Sequence, residues 1–247
     1  MHKTNKFTLP SLLIIMLFTG ILLHGCYMGS TNVIKGDGQL SARTQKLPHF
    51  SHIDISGMFD IRLSQGEEAV VVLETDQNLI DYTSIEVRNN TLYVTTDRDV
   101  MLRPTKMELQ ISYPQLEQIH IGGACKLHAS NPLKTRSLKL NISGAAEIVL
   151  DLDVEELLTS VSGAANIQLS GISNSHQVSL SGASNLRAEN LRSLETRINL
   201  SGAGSAHVYA SETLHAILSG VGSVRYYGNP LEVKTEKTGL GSIRSAE

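Results

Sequence analysis

The chain has 247 residues, with no tryptophan, four phenylalanines and two cysteines, and its 21 basic and 24 acidic side chains give a formal net charge of −3. Two cysteines are too few for a disulfide framework, and an acid-leaning balance disfavours a nucleic-acid partner. The length suits a single domain of helix-poor pattern.

Residues 1–25 read as a leader. Lys3 and Lys6 precede an apolar run from Leu12 to Leu23, which ends in Leu23-His24-Gly25-Cys26. A charged start, an apolar centre too short for a comfortable membrane span and a small-residue exit describe a secretion signal. The Leu-x-Gly-Cys ending resembles the lipobox of bacterial lipoproteins. That resemblance implies that Cys26 is acylated as the first mature residue, that residues 26–34 form a lipid-anchored tether, and that Tyr27, in place of an acid, favours the outer membrane. Several acyl chains at one site would hold the protein firmly. An ordinary signal peptide or an uncleaved anchor is the rival reading. Removing the leader takes away two lysines and no acid, leaving 19 − 24 = −5.

Residues 35–118 form the irregular first portion of a single domain, 35–247. Ala69 to Glu74 is a strongly β-prone run, and Ile85, Val87, Leu92 and Val94 flank Asn89-Asn90 as the arms of a hairpin would.

From residue 119 a repeat takes over. The central glycines of Gly122-Gly123-Ala124, Ser143-Gly144-Ala145, Ser162-Gly163-Ala164, Ser181-Gly182-Ala183, Ser201-Gly202-Ala203, Ser219-Gly220-Val221 and Thr238-Gly239-Leu240 are spaced 21, 19, 19, 20, 18 and 19 residues apart. An isolated copy, Ser56-Gly57-Met58, stands near the start. Two residues before each glycine come Ile55, Ile121, Ile142, Val161, Leu180, Leu200, Leu218 and Lys237. Four residues after it come Ile61, Leu127, Ile148, Ile167, Leu186, Ala206, Val224 and Ile243. Polar positions alternate with these, which is the period of two that marks strands. A repeat of two helices usually takes more than 30 residues. About 19 residues at ~3.3 Å each fit one coil of a parallel β-solenoid, stacked on neighbours ~4.8 Å away. Each glycine is then a corner, where a missing Cβ permits positive φ or close backbone approach. In the last coil Lys237 takes the inward slot beside Glu232, Lys234 and Glu236, a charged end that resists further edge pairing.

No catalytic constellation is present: there is no Gly-x-Ser-x-Gly elbow, His-Glu-x-x-His, Walker loop or Cys-x-x-Cys. The Ser-Gly-Ala clusters, without an attendant His and Asp, read as turns, and the Gly-x-Gly pairs at 202–204 and 220–222 open no helix that could hold phosphate. Cys125 sits in a column of small residues (Ala146, Ala165, Ser184, Gly204, Gly222, Gly241), which points to packing over reactivity. His49 and His52 have no third ligand nearby in sequence, so no metal site is expected. His120, His128, His176, His207 and His215 are expected to be solvated.

One outward column carries a hypothesis. Arg187, His207, Arg225 and Arg244 fall five residues after successive glycines and would stack at ~4.8 Å steps. They form either a solvated face screened by acids such as Glu189 or an anion-recognising stripe for acidic glycans or lipid headgroups. No heptad and no long apolar outward face is apparent, so the oligomeric state is open.

Lys35-Gly36-Asp37-Gly38, Phe50-Ser51-His52-Ile53-Asp54-Ile55-Ser56-Gly57, Val87-Arg88-Asn89-Asn90-Thr91-Leu92-Tyr93-Val94 and the tandem Ser-Gly-Ala repeats together resemble the bacterial putative auto-transporter adhesin, head GIN domain family. The resemblance implies a right-handed, pectin-lyase-like β-helix, frequent lipoprotein signals, no catalytic residues and no cofactor. The expected function is a non-catalytic cell-envelope interaction or adhesion module, with a glycan or protein ligand and a membrane contact through its lipid. The alternatives are a carbohydrate-active β-helix enzyme on acidic polysaccharide, or a structural or sensory envelope component without external ligand. Against the enzyme, Asp151 and Asp153 have no matching acids in the adjacent coils, there is no tryptophan to line a sugar groove, and Tyr209, Tyr226 and Tyr227 offer a small aromatic patch at most.

Overall fold

The computed structural model of the protein describes residues 32–246. The expected signal peptide (1–25), the expected lipidation site Cys26 and most of the expected tether (26–34) lie outside the described residues. The first nine strands are β1 (Asn32–Lys35), β2 (Leu40–Lys46), β3 (His52–Ser56), β4 (Met58–Gln65), β5 (Val70–Asp76), β6 (Thr83–Arg88), β7 (Thr91–Thr96), β8 (Val100–Arg103) and β9 (Met107–Tyr113). Eleven more follow: β10 (Gln118–Ile121), β11 (Ala124–Ala129), β12 (Leu133–Ile142), β13 (Ala145–Val161), β14 (Ala164–Leu180), β15 (Ala183–Leu200), β16 (Ala203–Tyr209), β17 (Thr213–Leu218), β18 (Val221–Tyr227), β19 (Glu232–Lys237) and β20 (Leu240–Ser245). One 3₁₀ turn, Gln77–Tyr82, interrupts them. Among the described residues no helix is long and apolar enough to cross a membrane.

The strands wind into a β-solenoid of about seven turns with about 19 residues per coil. Successive coils pair in parallel, and β13, β14 and β15 stay paired around the bends between coil faces for 17, 17 and 18 residues. The register explains the sequence columns. Ile121, Ile142, Val161, Leu180, Leu200 and Leu218 stack in one inner row, and Leu127, Ile148, Ile167, Leu186, Ala206 and Val224 in another, all of them buried. Each coil shields its apolar row only by sitting on the next, so the core is continuous along the axis. At the far end Lys237 takes the slot under Leu218, is exposed, and donates to the Gly241 carbonyl at 3.2 Å.

The isolated Ser56-Gly57-Met58 copy is not isolated in space. β3 and β4 lie directly beside β10 and β11, with Ile55 opposite Ile121 and Met58 opposite Ala124, although more than 60 residues of chain separate them. The intervening chain turns back and covers the N-terminal end of the stack. β7 and β9 add in parallel outside β3 and β4, and then β6, β5 and β2 close the end with antiparallel pairing. The β6–β7 hairpin turns on Asn89 (φ 49°) and Asn90 (φ 62°), the pair of left-handed residues that a two-residue loop requires. Asn90 also receives the Ser51 backbone N–H at 3.1 Å on its Oδ1 and donates to Ser51 Oγ at 2.7 Å, which ties the hairpin to the first coil. The irregular portion is therefore an end cap, a role that its strand pattern alone does not reveal.

At the bends the glycines are required by contact. A Cβ on Gly123, Gly144, Gly163, Gly182, Gly202, Gly220 or Gly239 would overlap the carbonyl oxygen of the glycine one coil earlier, the first of them being Gly57. Those same carbonyls accept inter-coil hydrogen bonds, such as Ala164 N to Gly144 O at 3.0 Å and Ala183 N to Gly163 O at 3.1 Å. Of the two reasons for glycine at these corners, close approach decides; in this column only Gly57 (φ 149°) also has positive φ.

The interior is not wholly apolar. Ser173 and Ser193 share a hydroxyl hydrogen bond of 2.7 Å, and Thr196 Oγ1 donates to the Tyr209 carbonyl at 2.6 Å. His176, expected in solvent, is instead buried at 1% exposure, stacked between Leu157 and Thr196, with Nε2 3.1 Å from Thr159 Oγ1. Its sequence neighbours are polar, and only the strand phase turns it inward. Burial pushes its pKa down to about 3.

Two outcomes follow from these contacts. Gly163→Ala should cost at least about 2 kcal/mol in urea unfolding, because backbone cannot move aside as a flexible side chain could, while exposed Ser162→Ala should change stability by less than about 0.5 kcal/mol. Equal effects would show that the corner is not sterically closed. For His176 the folded state favours the neutral ring, so its stabilisation is complete above the ordinary pKa of about 6.5 and declines as pH falls towards 3, by up to about 1.4 kcal/mol per unit. Urea titrations from pH 6.5 to 4.5 should show a flatter stability profile for His176→Leu than for the unaltered chain.

Candidate functional site

Every second side chain of β11, β13, β14, β15, β16, β18 and β20 points outward, and because the coils stack in register these side chains form three parallel stripes along the axis. The first stripe is apolar: Met58, Ala124, Ala145, Ala164, Ala183, Ala203, Val221 and Leu240, all exposed, with Met58 at 51%, Val221 at 58% and Leu240 at 74%. This corrects the expectation that no long apolar outward face exists. The alanines belong to the corner motif in sequence, and only stacking lines them up.

The second stripe is polar: Asp60, Lys126, Glu147, Asn166, Asn185, Ser205, Ser223 and Ser242. Lys126 Nζ lies 3.7 Å from Glu147. Asn185 Nδ2 donates to Asn166 Oδ1 at 3.1 Å, and Ser205 Oγ donates to Asn185 Oδ1 at 2.9 Å. This ladder fixes the amides while leaving further donors and acceptors turned to solvent.

The third stripe is Arg62, His128, Val149, Gln168, Arg187, His207, Arg225 and Arg244, so Arg187, His207, Arg225 and Arg244 occupy successive coils at one register position. Arg62 is neutralised by Glu108 at 3.4 Å. Among the described residues no carboxylate pairs with Arg187, Arg225 or Arg244, and the same holds for Arg192 and Arg197 elsewhere on β15. At ~3.3 Å per residue the three stripes together span roughly 13 Å across the strands. Between the second and third lies an open groove of about 620 Å³, lined by Glu147, Val149, Asn166, Gln168, Asn185, Arg187, Ser205 and His207.

A β-bulge breaks the register at one point. Gln168 opposes Arg187 but Ser170 opposes Asn190, so β15 carries one extra residue around Ala188-Glu189. The sequence signal for it is the spacing of 20 between Gly182 and Gly202. Glu189 is half-buried, with Oε2 4.0 Å from His207 Nδ1 and without a hydrogen-bond partner. The His207 ring lies 6.1 Å from that of Tyr227. In sequence Glu189 stands out only as an acid that could screen the arginine column.

The other candidates are placed as follows. Asp153 pairs with Lys134 at 3.2 Å and Asp151 accepts from Ser170 Oγ at 3.2 Å, so both serve neighbouring coils. Tyr209 lies under the Arg192 guanidinium at 4.6 Å. His49 is exposed, and His52 Nε2 is 3.9 Å from Glu117. Asp76, which the strand pattern did not single out, is fully buried. Burial opposes its charge, but hydrogen bonds from Thr105 Oγ1, Thr105 N and Gly38 N hold its pKa below the ordinary carboxylate value. It thereby anchors the Lys35-Gly36-Asp37-Gly38 turn. Cys125 is buried at 5% with Sγ 3.7 Å from the Gly57 carbonyl. Burial, opposed by a backbone contact at Phe59, pushes its thiol up to about 11.

Comparison with known proteins gives a consistent picture. The family model for the putative auto-transporter adhesin, head GIN domain, matches residues 49–230. A putative adhesin from Bacteroides fragilis of known crystal structure is 26% identical, with a TM-score of 0.84 over 86% of this chain and 100% of that one. A putative adhesin from Parabacteroides merdae (23% identical, TM-score 0.70, 87% and 100% covered) and a putative lipid binding protein from Parabacteroides distasonis (21%, 0.73, 87% and 100%) share the fold. No curated protein matches the chain.

The raised thiol pKa gives a direct measurement. At pH 8 Cys125 should react with a thiol reagent at least about tenfold more slowly in the native chain than in urea, since the thiolate is the reactive form. Equal rates would mean that the site opens to solvent.

Proposed function

This chain belongs to the putative auto-transporter adhesin, head GIN domain family, and from that premise we propose that it is a non-catalytic adhesion module, lipid-anchored at Cys26 in the outer membrane, which reads its ligand with the striped outer face of the solenoid. Membership and the adhesin relatives already indicate a cell-envelope or surface protein. The anchor is supported by the lipobox-like Leu23-His24-Gly25-Cys26.

The observation that carries the reading is the third stripe. Arg187, Arg225 and Arg244, none with an acid partner among the described residues, share one outward column with His207 in a chain of net negative charge, and like charges repeated along a column favour a counter-charge brought by a ligand. Guanidinium groups suit carboxylate, sulfate or phosphate through paired N–H donors. The neighbouring polar ladder supplies hydrogen bonds for hydroxyl groups, and the alanine stripe offers apolar contact at the same 4.8 Å step. A chain polymer laid along the axis would meet all three at once. We therefore take the ligand to be an acidic glycan, held by many weak contacts on a rigid, preformed surface.

The face and the anchor are separately testable. The full chain in detergent should bind acidic polysaccharide with an affinity that falls as salt rises, and Arg187→Ser/Arg225→Ser/Arg244→Ser should remove that binding while circular dichroism stays unchanged. Binding that survives the triple substitution would discard the stripe. Metabolic labelling with a fatty-acid analogue should tag the unaltered chain and not Cys26→Ser; labelling of both would discard the anchor.

A further inference from the structure

We propose that the outer face of the β1–β8 pair docks on the bilayer that holds the anchor, with its side chains in the phosphate headgroup layer. This rests on the acylation of Cys26 and adds to it a defined contact between the end cap and the membrane.

Strands β1 and β8 form a two-stranded sheet apart from the solenoid ladder, and Gly36 N donates to the Arg103 carbonyl at 2.9 Å where the two strands end. Strand alternation gives the pair two faces. Ile34 and Leu102 turn inward against the core, Leu102 at 7% exposure. Val33, Lys35, Met101 and Arg103 turn outward and are exposed, the two apolar side chains at 41% and 48%. Neither Lys35 nor Arg103 has an acid partner among the described residues.

The pair is fastened to the cap. Buried Asp76 accepts from Gly38 N at 2.8 Å and from Thr105 N at 2.7 Å, just beyond the two strand ends. Asn78 donates to the Lys35 carbonyl at 2.8 Å and accepts from Asp37 N at 3.1 Å. Val33 and Met101 are therefore held outward and cannot be buried by a shift of their own strands.

What covers this face follows from chain length. Val33 stands seven residues after Cys26. The chain between them reaches at most about 25 Å, whatever its path, and an acylated Cys26 is held at the membrane surface. At the effective concentration which that short connection sets, a weak contact is enough. The chemistry of the face suits a bilayer: Val33 and Met101 enter the boundary between headgroups and acyl chains, while the long stems of Lys35 and Arg103 carry their charges to phosphate. Asp37, Asp97 and Asp99 lie near the two strands in sequence. The first two accept hydrogen bonds within their own turns, from Gln39 N at 3.0 Å and Asp99 N at 2.9 Å.

The test uses the acylated full chain on phosphatidylethanolamine–phosphatidylglycerol vesicles that contain a headgroup spin-labelled lipid. An environment-sensitive fluorophore is attached through Met101→Cys or, in the last coil, through exposed Ser245→Cys. Both are made in a Cys125→Ser background, since serine already fills that column at Ser184. The probe at position 101 should shift to the blue and be quenched by the spin label, and the probe at position 245 should do neither. Lys35→Glu/Arg103→Glu should lower the ratio of docked to free face at least about tenfold, each cation near an anionic surface being worth about fivefold. Quenching that is absent at position 101, equal at the two positions or insensitive to the charge reversal would overturn the docking; if the chain still floats with the vesicles, the anchor stands. If the chain does not float with them, the anchor falls and the docking with it. Unchanged circular dichroism in each variant keeps loss of contact separate from loss of fold.

Discussion

The structure depends on how closely one coil can sit on the next. Parallel strands pair at a fixed separation of about 4.8 Å, and at the corners that separation leaves no room between one backbone and the carbonyl beneath it. Glycine is what fits. The row from Gly57 through Gly239 lets each corner carbonyl take a hydrogen bond from the coil above, so the ladder continues around the bend instead of ending there. With the ladder unbroken, inner side chains stack in rows of Ile, Leu and Val, and outer side chains stack in stripes. Core and surface both inherit their order from this one spacing.

A stack of this kind has two ends to protect, and the chain treats them differently. The N-terminal end is covered by a chain segment that returns from later in the sequence and changes the pairing from parallel to antiparallel, with Asp76 and Asn90 fastening the turns. At the C-terminal coil the inner slot holds exposed Lys237, and Lys234 pairs with Glu236 at 3.3 Å on the outside. A charge in a slot that elsewhere holds isoleucine, valine or leucine discourages another strand from adding there. Inside, the polar pairs Ser173–Ser193 and Thr159–His176 use neighbouring coils as partners, so these hydroxyls and the ring are satisfied by stacking, while the buried hydroxyls of Ser184 and Tyr113 have no partner.

The outer face shows how a repeat becomes an ordered surface. One residue type per coil has no specificity, but the same position repeated over several coils gives a linear array with the periodicity of the backbone. Where the array is uniform it offers avidity, each contact raising the effective concentration of the next. A rigid solenoid loses little entropy on presenting such an array.

Much of this was legible in the sequence, because a solenoid converts periodicity directly into position. The 19-residue glycine spacing determined the coil, the alternation of apolar and polar residues determined which columns face in, and the Asn89-Asn90 pair marked the hairpin. These are local signals, carried by residues within a few positions of one another. Tertiary structure alone decided what depends on chain paths and strand phase. It brought Gly57 against Gly123 across the long insertion, turned His176 inward between Leu157 and Thr196, joined the corner alanines into an apolar stripe, and placed Glu189 beside His207. Each of these contacts joins residues from different coils, and sequence order does not say which coils will touch.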